Sequence, residues 1–254
     1  MIVYFDAAAL EWRTIAELTG DKTAIEEICG GLDAHTDNQH KFNLPSRLIA
    51  KLFLYRAIYR GPAYAYANDV EFSHVSKNVG FWENVISAFY EKYSGIAREH
   101  ERWIYEVNKH GRLINPITGR IHQFKKVKKG WEEVYSENDI TNYPNQSFGA
   151  ELMACARVHI CKRLKEEGLY NKAVYPILTV HDSNLFDVVQ DREVIVQCIE
   201  IVRDTILDIR NIWKERYGVG LQVPHDCEIK VGPTWADLVT VYKEGKNSYD
   251  QIPL

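Results

Sequence analysis

Two aspartates lie where predicted strands end, and their carboxylates are the first candidates for chemistry. Asp6 closes the apolar run MIVYF, and Asp182 follows the run YPILTVH. Carboxylate oxygens are the ligands that hard divalent cations prefer. Two Mg²⁺ ions held by such a pair can stabilise the attacking and leaving oxygens of a phosphoryl transfer. The plainer alternative is two unrelated surface aspartates, with residues 181–184 forming an ordinary hairpin turn.

Cations and phenols recur at every fourth position of the segment 45–60, which is predicted to be a helix. The four residues are Arg47, Lys51, Tyr55 and Tyr59. On a helix this spacing aligns the side chains along one face, and the segment contains no acidic residue. Arginine and lysine together suit a polyphosphate. The phenol rings offer flat surfaces to a sugar and a base.

The segments that must position these residues are short strands and longer helices. Strands are predicted at 1–6, buried on both faces, at 174–189 as a strand–turn–strand, and at 223–232 as the final strand; a hairpin is predicted at 112–124. Helices are predicted at 10–19, 22–29, 45–60, 81–109, 146–167 and 192–217, and Asp21 is expected to cap the second. The predicted class is α+β, with a few mostly antiparallel strands among many helices.

Composition narrows the function classes. The chain has 254 residues with a net charge of −4, which argues against a protein that coats nucleic acid through bulk charge. No apolar run is long enough to span a membrane, and the N-terminus lacks the basic region of a secretion signal. The five cysteines are irregularly spaced, as is typical of reduced thiols in a cytosolic protein. A cytoplasmic location is therefore expected, or the host-cell cytoplasm if the protein is viral.

Several segments together resemble the motifs of family A DNA polymerases, the group of bacterial DNA polymerase I. The matching segments are DAAALEWRTIAELTGD followed by DAHT, RLIAKLFLYRAIYRG, HGRLINPITGR, NYPNQSFGAELM, TVHDSNLFDV and GPTW. They occur in the family's order and cover nearly the whole chain. The resemblance implies a right-hand polymerase palm at 1–20 and 141–254 and helical fingers at 21–140, with the thumb and exonuclease domains absent.

The resemblance also implies roles at the reaction centre. Asp6 and Asp182, helped by the backbone carbonyl of Ala7, would bind two Mg²⁺ ions. Arg47 and Lys51 would hold the triphosphate of the incoming dNTP, and Lys51 would protonate the leaving pyrophosphate.

Other matched positions imply contacts with the sugar, the base and the DNA. Tyr55 would pack on the incoming sugar, Tyr59 would border the templating base, and Glu11 would block a 2′-hydroxyl. Contacts with the primer–template are expected from His181, Asn142, Gln146 and Arg13. Four lysines offer contacts with backbone phosphates, although a solvated loop explains them equally well: Lys125, Lys126, Lys128 and Lys129.

Some positions depart from the family pattern. Ser183 replaces the acid that follows the His–Asp pair, and Ala8 and Ala9 replace a Ser–Gln pair. Arg56 and Ser147 each replace a glycine, and Asn138 replaces an arginine. These departures put rate and fidelity in question, while both metal-binding aspartates are retained.

The predicted function is therefore a DNA-directed DNA polymerase subunit that transfers nucleotides from dNTP to a primer 3′-hydroxyl. One alternative is a catalytically weak or inactive polymerase-derived subunit with a binding role, and another is a two-metal nuclease. Because only five residues precede Asp6, the expectation is a split polymerase, for example a viral one. A second subunit would carry the thumb and exonuclease, or the chain would associate with itself.

Overall fold

The computed structural model describes residues 1–253, which pack as two compact units. One unit contains Met1–Leu10 and the chain from Phe148 onward, and the other contains Glu11–Ser147. Helices and an antiparallel sheet are both present, so the predicted α+β class is confirmed.

Residues 1–253 form ten strands and ten α-helices. The strands are β1 (Ile2–Ala7), β2 (Arg112–Ile114), β3 (Ile121–Gln123), β4 (Val127–Lys129), β5 (Glu132–Val134), β6 (Val174–Val180), β7 (Ser183–Val188), β8 (Cys227–Gly232), β9 (Val239–Lys243) and β10 (Lys246–Asn247). The helices are α1 (Leu10–Thr19), α2 (Lys22–Cys29), α3 (Ala34–Lys41), α4 (Arg47–Ala57), α5 (Ala63–Asn68), α6 (Val79–Lys92), α7 (Ser94–His110), α8 (Glu137–Glu166), α9 (Arg192–Leu207) and α10 (Ile209–Tyr217).

The first unit is built on a six-stranded antiparallel sheet with the order β10-β9-β8-β1-β7-β6. The central strand β1 is buried on one face only, which corrects the prediction of a strand buried on both. Val3, Phe5 and Ala7 are buried, whereas Tyr4 and Asp6 are partly exposed. Alternate residues of a strand point to opposite faces, and α9 packs against β1 and β8.

The predicted single helix at 81–109 is instead two helices, α6 and α7, which meet at Tyr93. Tyr93 has φ −107° and ψ 62°, outside the helical region. The buried carboxylate of Asp21 explains the break, because its Oδ2 accepts a hydrogen bond from the Gly95 amide (2.7 Å) at the start of α7. Its Oδ1 accepts from the Ala24 amide (2.9 Å), so one side chain caps both α2 and α7.

Helix α8 begins at Glu137, earlier than predicted, and continues through Pro144. Proline removes a helical hydrogen bond, but side-chain contacts fix the first turn. Arg60 Nε donates to Glu137 Oε2 (3.0 Å), and Asn138 Nδ2 donates to the Tyr59 carbonyl (2.7 Å). These contacts with a distant part of the chain extend the helix beyond what its own sequence favours.

Helix α4 is shorter than the predicted 45–60. Ser46 caps its first turn, since Ser46 Oγ accepts a hydrogen bond from a backbone amide of that turn. The helix ends at Ala57, and Tyr59 lies in the tight turn that follows. Three members of the predicted stripe therefore lie on the helix, and the fourth lies just past it.

The C-terminal part of the first unit also differs from prediction. The helix predicted at 192–217 is interrupted at Asp208, whose Oδ2 accepts a hydrogen bond from Arg163 Nη2 (3.1 Å). Strand β8 is not the last strand, because β9 pairs antiparallel with β8 and β10 with β9.

The second unit contains two small hairpins. The predicted hairpin is confirmed as β2–β3, and the side chain of Asn115 closes its turn by accepting from the Ile117 amide (2.9 Å). The lysine-rich segment forms a second hairpin, β4–β5, which the sequence did not predict.

Each unit has its own hydrophobic core. In the second unit this core is an aromatic cluster in which neighbouring ring centroids lie 5.0–6.4 Å apart, and it contains Phe53, Tyr66, Phe72, Trp82 and Phe89. In the first unit Phe148 packs edge-on against Trp213 at 5.4 Å. None of the helices within residues 1–253 has both the length and the apolar character that a membrane span needs.

Candidate active site

The two predicted aspartates of the first unit lie at the same end of its sheet. Asp6 is near the end of β1 and is paired in register with Ser183 on β7 and Glu228 on β8. Asp182 lies in the turn between β6 and β7, and its backbone carbonyl accepts a hydrogen bond from the Ala7 amide (3.0 Å). The strand register therefore brings the two residues together across 176 positions of sequence.

The electrostatics of this pair fit a divalent cation. Burial, and then the negative charge of Asp182, raise the pKa of Asp6. The hydroxyl of Tyr4 donates to Asp6 Oδ2 (2.9 Å), and burial raises the pKa of Tyr4 to about 12. Tyr4 therefore remains a donor at neutral pH and orients the Asp6 carboxylate. A cation would relieve the repulsion between the two carboxylates, and oxygen ligands of this kind suit Mg²⁺.

Among the described residues, no third acidic side chain joins Asp6 and Asp182 in a metal-binding group. Within residues 1–253, no three His, Cys, Asp or Glu side chains are grouped so as to hold a metal ion. Glu228 faces Asp6 but forms ion pairs with Lys230 (3.3 Å) and Lys243 (3.4 Å). Ser183, which stands where the resembled family has an acid, donates its hydroxyl to a backbone carbonyl of the same hairpin (2.8 Å). The protein ligands offered here are thus two carboxylates and neighbouring backbone oxygens.

His181 is exposed in the two-residue turn that also holds Asp182. Its φ of 51° lies in the left-handed region, which non-glycine residues adopt only at some energetic cost. The turn is shorter than the predicted four residues, because Ser183 and Asn184 are already buried in β7.

In the second unit, Arg47, Lys51 and Tyr55 lie on α4 as predicted. Arg47 forms two hydrogen bonds with Asp33, from Nε to Oδ2 (2.6 Å) and from Nη2 to Oδ1 (3.2 Å). Partial burial acts to raise the pKa of Asp33. The hydrogen bond from Arg47 and the positive charge of Arg47 help to outweigh burial, so the pKa of Asp33 is lowered. Lys51 is exposed, and no described residue is within ion-pairing distance of it.

His35 is a candidate residue that the sequence analysis did not single out, although it lies in the quoted segment DAHT. Its ring lies 5.9 Å from the ring of Tyr55. Burial, and then the charge of Arg47, lower the pKa of His35 to about 4, so it is neutral at pH 7. Its Nδ1 is buried without a hydrogen-bond partner among the described residues.

A polar network surrounds the hydroxyl of Tyr59. Gln146 Nε2 donates to this oxygen (2.9 Å) and also to the carboxylate of Glu11. Asn145 Nδ2 donates to the Tyr59 hydroxyl (3.2 Å) and to the Glu11 backbone carbonyl (3.1 Å). Burial, and then the charge of Glu11, raise the pKa of Tyr59 far above its usual range. Three predicted residues, Glu11, Tyr59 and Gln146, are thereby brought together.

Asn145 was missed by the sequence analysis, which chose its neighbour Asn142. Asn145 is buried, and its Oδ1 also accepts from Thr14 Oγ1 (2.6 Å). Asn142 lies one turn before Gln146 on the partly exposed side of α8, and no bond joins it to the network in the part of the chain described. Arg13 is partly exposed on α1.

Comparisons with known proteins agree with these motifs. The sequence model of DNA polymerase family A matches residues 1–237. DNA polymerase I of Chloroflexus aurantiacus is 22% identical over 242 residues, covering 92% of this chain and 24% of that protein. DNA polymerase theta of Caenorhabditis elegans is 27% identical over 239 residues, covering 94% of this chain and 14% of that protein. The chain thus spans about a quarter or less of the length of these relatives.

A solved structure shows the same fold. The POL domain of Pol1 from M. smegmatis, in complex with DNA primer-template and dNTP, has a TM-score of 0.73 and 19% sequence identity. The match covers 92% of this chain and 40% of that one. Since the family's sequence model spans nearly the whole chain, the chain belongs to DNA polymerase family A.

Proposed function

We propose that this chain is the palm and fingers part of a DNA-directed DNA polymerase, which transfers a nucleotide from dNTP to a primer 3′-hydroxyl. The observation that carries the proposal is the pair of aspartates, Asp6 and Asp182, joined at adjacent strand ends. Membership of DNA polymerase family A supports it. The proposed partners are a DNA primer–template and dNTP, with the palm at 1–20 and 141–254 and the fingers at 21–140.

Asp6, Asp182 and the Ala7 carbonyl would hold two Mg²⁺ ions, which when bound supply positive charge at the attacking and leaving oxygens. In the proposed reaction the primer 3′-hydroxyl loses its proton to water, its oxygen bonds to the α-phosphorus, and the bond from that phosphorus to pyrophosphate breaks. Lys51 donates from its exposed ammonium group to the triphosphate and gives a proton to the leaving pyrophosphate. Arg47 contributes positive charge beside Lys51 while it is held by Asp33.

The neutral His35 of α3 and Tyr55 of α4 lie close to each other. We assign Tyr55 to the incoming sugar and His35 to the phosphates, where a neutral imidazole can donate a hydrogen bond. The network of Glu11, Tyr59 and Gln146 would exclude a 2′-hydroxyl, because the Glu11 carboxylate and the Tyr59 hydroxyl already accept hydrogen bonds from Gln146 Nε2.

The remaining predicted residues are assigned to the DNA. His181 would contact the primer terminus, and Arg13 the primer–template backbone. Asn142 and Gln146 would donate to minor-groove acceptors, which all correctly paired bases share, so that they test pairing geometry rather than sequence.

The test is primer extension with Mg²⁺ by wild type and by Asp6→Asn and Asp182→Asn. Each substitution removes a charged metal ligand, so we expect incorporation to fall by on the order of 10²–10³-fold. Asp187→Asn is the matched control, because Asp187 is an exposed aspartate at the other end of the β1–β7 pair. Circular dichroism should show equal folding for all four proteins. Incorporation retained in both active-site variants would contradict the proposal.

A second candidate is a catalytically weak or inactive polymerase-derived subunit. Ser183 favours it, since this residue replaces the family's acid and its hydroxyl is already bonded within the hairpin. The same assay separates the two functions: a folded wild-type chain with no incorporation, with or without added partner proteins, would support the second.

We also propose that a second polypeptide carrying thumb and exonuclease, or a second copy of the chain, covers the β6 edge of the sheet in the first unit. The support is the edge strand β6, where the exposed side chains of Tyr175, Ile177 and Leu178 lie beside an unpaired strand edge. Proteins usually cover such edges, because they pair readily with other strands.

A further inference from the structure

The β4–β5 hairpin presents a fully exposed tryptophan at its tip. Gly130 and Trp131 form the two-residue turn, and Gly130 has the positive φ (65°) that the first position of a type II′ turn requires. Trp131 has a relative accessibility of 105%, so its indole touches nothing else in the described chain. An exposed aromatic ring of this kind offers a flat face on which a nucleic-acid base can stack.

Four lysines precede this indole, and two glutamates, Glu132 and Glu133, follow it. Lys125, Lys126, Lys128 and Lys129 precede the turn, in a chain whose net charge is −4. Lys128 and Lys129 are paired in register with Glu133 and Glu132, but among the described residues no ion pair joins either lysine to a carboxylate. The segment 125–134 therefore carries four lysines and only two glutamates beside an exposed aromatic ring, and a positively charged surface with an aromatic ring can bind single-stranded nucleic acid by stacking and phosphate contacts.

The base of the hairpin is held firmly while its tip is free. On the first side, the Phe124 ring stacks on Tyr143 with centroids 5.6 Å apart and planes 17° apart. On the second side, Tyr135 lies under the Lys126 ammonium at 5.5 Å. The Tyr135 hydroxyl also approaches Gly111 so closely that a Cβ there would lie 3.1 Å from it. A fixed base and an exposed tip suit a contact with an external ligand.

The hairpin leads into α8, whose first turn contacts the segment just after α4, the proposed nucleotide-binding helix. Three residues after β5, Glu137 binds Arg60, and Asn138 binds the Tyr59 carbonyl. At about 3.3 Å per extended residue, Trp131 lies within roughly 20 Å of Glu137. Tyr59 is the residue assigned to the templating base, so the hairpin is anchored where the template strand would leave the new base pair.

We propose that the β4–β5 hairpin binds unpaired single-stranded DNA, with Trp131 stacking on a base and Lys128 and Lys129 contacting phosphates. The identification of this strand as the template ahead of the primer terminus rests on the proposed polymerase function. The binding itself depends only on the exposed indole and the lysines.

The first test measures binding of a fluorescein-labelled dT oligonucleotide at low salt by anisotropy. Trp131→Ala should weaken binding about tenfold, since stacking on an aromatic ring contributes on the order of tenfold or more per base. Trp131→Phe should bind nearly as wild type, whereas Trp131→Leu should resemble Trp131→Ala. Trp235→Ala, which removes another exposed tryptophan, is the control and should change nothing.

Two results of this test would overturn the inference. One is binding by Trp131→Ala within twofold of wild type. The other is full binding by Trp131→Leu, which would point to an apolar contact such as a protein surface. The double variant Lys128→Gln, Lys129→Gln should also lower the salt slope of binding, by about 0.7 for each phosphate that a lysine no longer neutralises; an unchanged slope would remove the lysines from the proposal.

The second test separates this inference from the proposed function. Trp131→Ala should lose affinity for a primer–template with a 5′ overhang and keep its affinity for a blunt duplex. An equal decrease on both would contradict binding to the unpaired strand. Because no catalysis is needed, a wild type that fails to extend primers both with and without added partner proteins would overturn the polymerase proposal and leave the hairpin result standing. If the wild type extends primers but Trp131→Ala has no effect on binding, the hairpin inference is overturned and the polymerase proposal stands.

Discussion

At the residue scale, one phenol oxygen organises the surface assigned to the sugar. The Tyr59 hydroxyl accepts hydrogen bonds from Asn145 and Gln146 and also bonds the Glu11 carboxylate. Because Tyr59 is neutral and largely buried, a hydroxyl placed against it would need to displace one of these partners. A buried polar group left without a partner costs about 1–3 kcal/mol, which is enough for a tenfold preference.

Glu11→Ala should therefore relax sugar discrimination. We expect the ratio of ribonucleotide to deoxyribonucleotide incorporation to rise about tenfold, because the side chain that fills this space is gone. Glu11→Gln keeps the volume and one carbonyl oxygen, so it should retain most of the discrimination. The measurement is single-nucleotide extension with rNTP and dNTP in parallel. Should Glu11→Ala leave this ratio unchanged, Glu11 does not face the sugar.

The residues at this scale differ in how well sequence could predict them. Asp6 and Asp182 could be predicted from sequence because each acid follows an apolar strand, and the packing of such a strand does not require a charge. His35 and Asn145 act through partners that lie far away in sequence, such as Thr14 for Asn145, 131 positions away. Local spacing carries no trace of such contacts, and a buried asparagine looks the same in sequence as an exposed one.

At the element scale, the break between α6 and α7 shows that the spacing of apolar residues does not by itself predict where a helix ends. Apolar residues continue at helical spacing on both sides of Tyr93, so the pattern predicts one helix. What divides it is the carboxylate of Asp21, which caps α7 from a separate segment. The cap of α2 is easier to predict, since Asp21 directly precedes that helix.

Gly95→Ala should destabilise the fold through this same contact. A Cβ at Gly95 would lie 2.7 Å from the Asp21 Cα and 2.8 Å from its Oδ2, so backbone would have to move. Overpacking of this kind costs about 1–3 kcal/mol.

Urea unfolding followed by circular dichroism measures this destabilisation as a lower midpoint. Gly220→Ala is the matched control, because its added Cβ would meet only a lysine side-chain atom at 3.9 Å; it should change stability by no more than about 0.5 kcal/mol. A midpoint for Gly95→Ala equal to that of the control would show that the Asp21 contact can adjust without cost.

At the scale of the whole molecule, the exposed strand β6 bears on how the chain exists in solution. Tyr175, Ile177 and Leu178 are each between 41% and 52% exposed, on a strand with one unpaired edge. A net charge of −4 also provides little bulk attraction for DNA. Both features favour a chain that works together with a second polypeptide.

The purified chain should therefore have a mass above the 29.4 kDa of a monomer, or bind primer–template weakly until a partner is added. Light scattering and primer extension at physiological salt measure the two properties. Ile177→Lys should reduce self-association, while Leu207→Lys, an exposed site at the end of α9, should not. A monomer that extends primers processively on its own would contradict the expectation of a partner.

The strands that follow β8 determine how far the chain can be shortened from its C-terminal end. The family match stops at residue 237, yet β9 pairs with β8, and the Tyr242 hydroxyl donates to Asp226 Oδ1 (2.8 Å). The connecting segment turns back so closely that a Cβ at Gly232 would lie 1.7 Å from the Asp237 carbonyl. The compact unit therefore continues beyond the residues that the family model matches. A chain trimmed to the matched residues would leave the backbone edge of β8 without its partner, one strand away from Asp6.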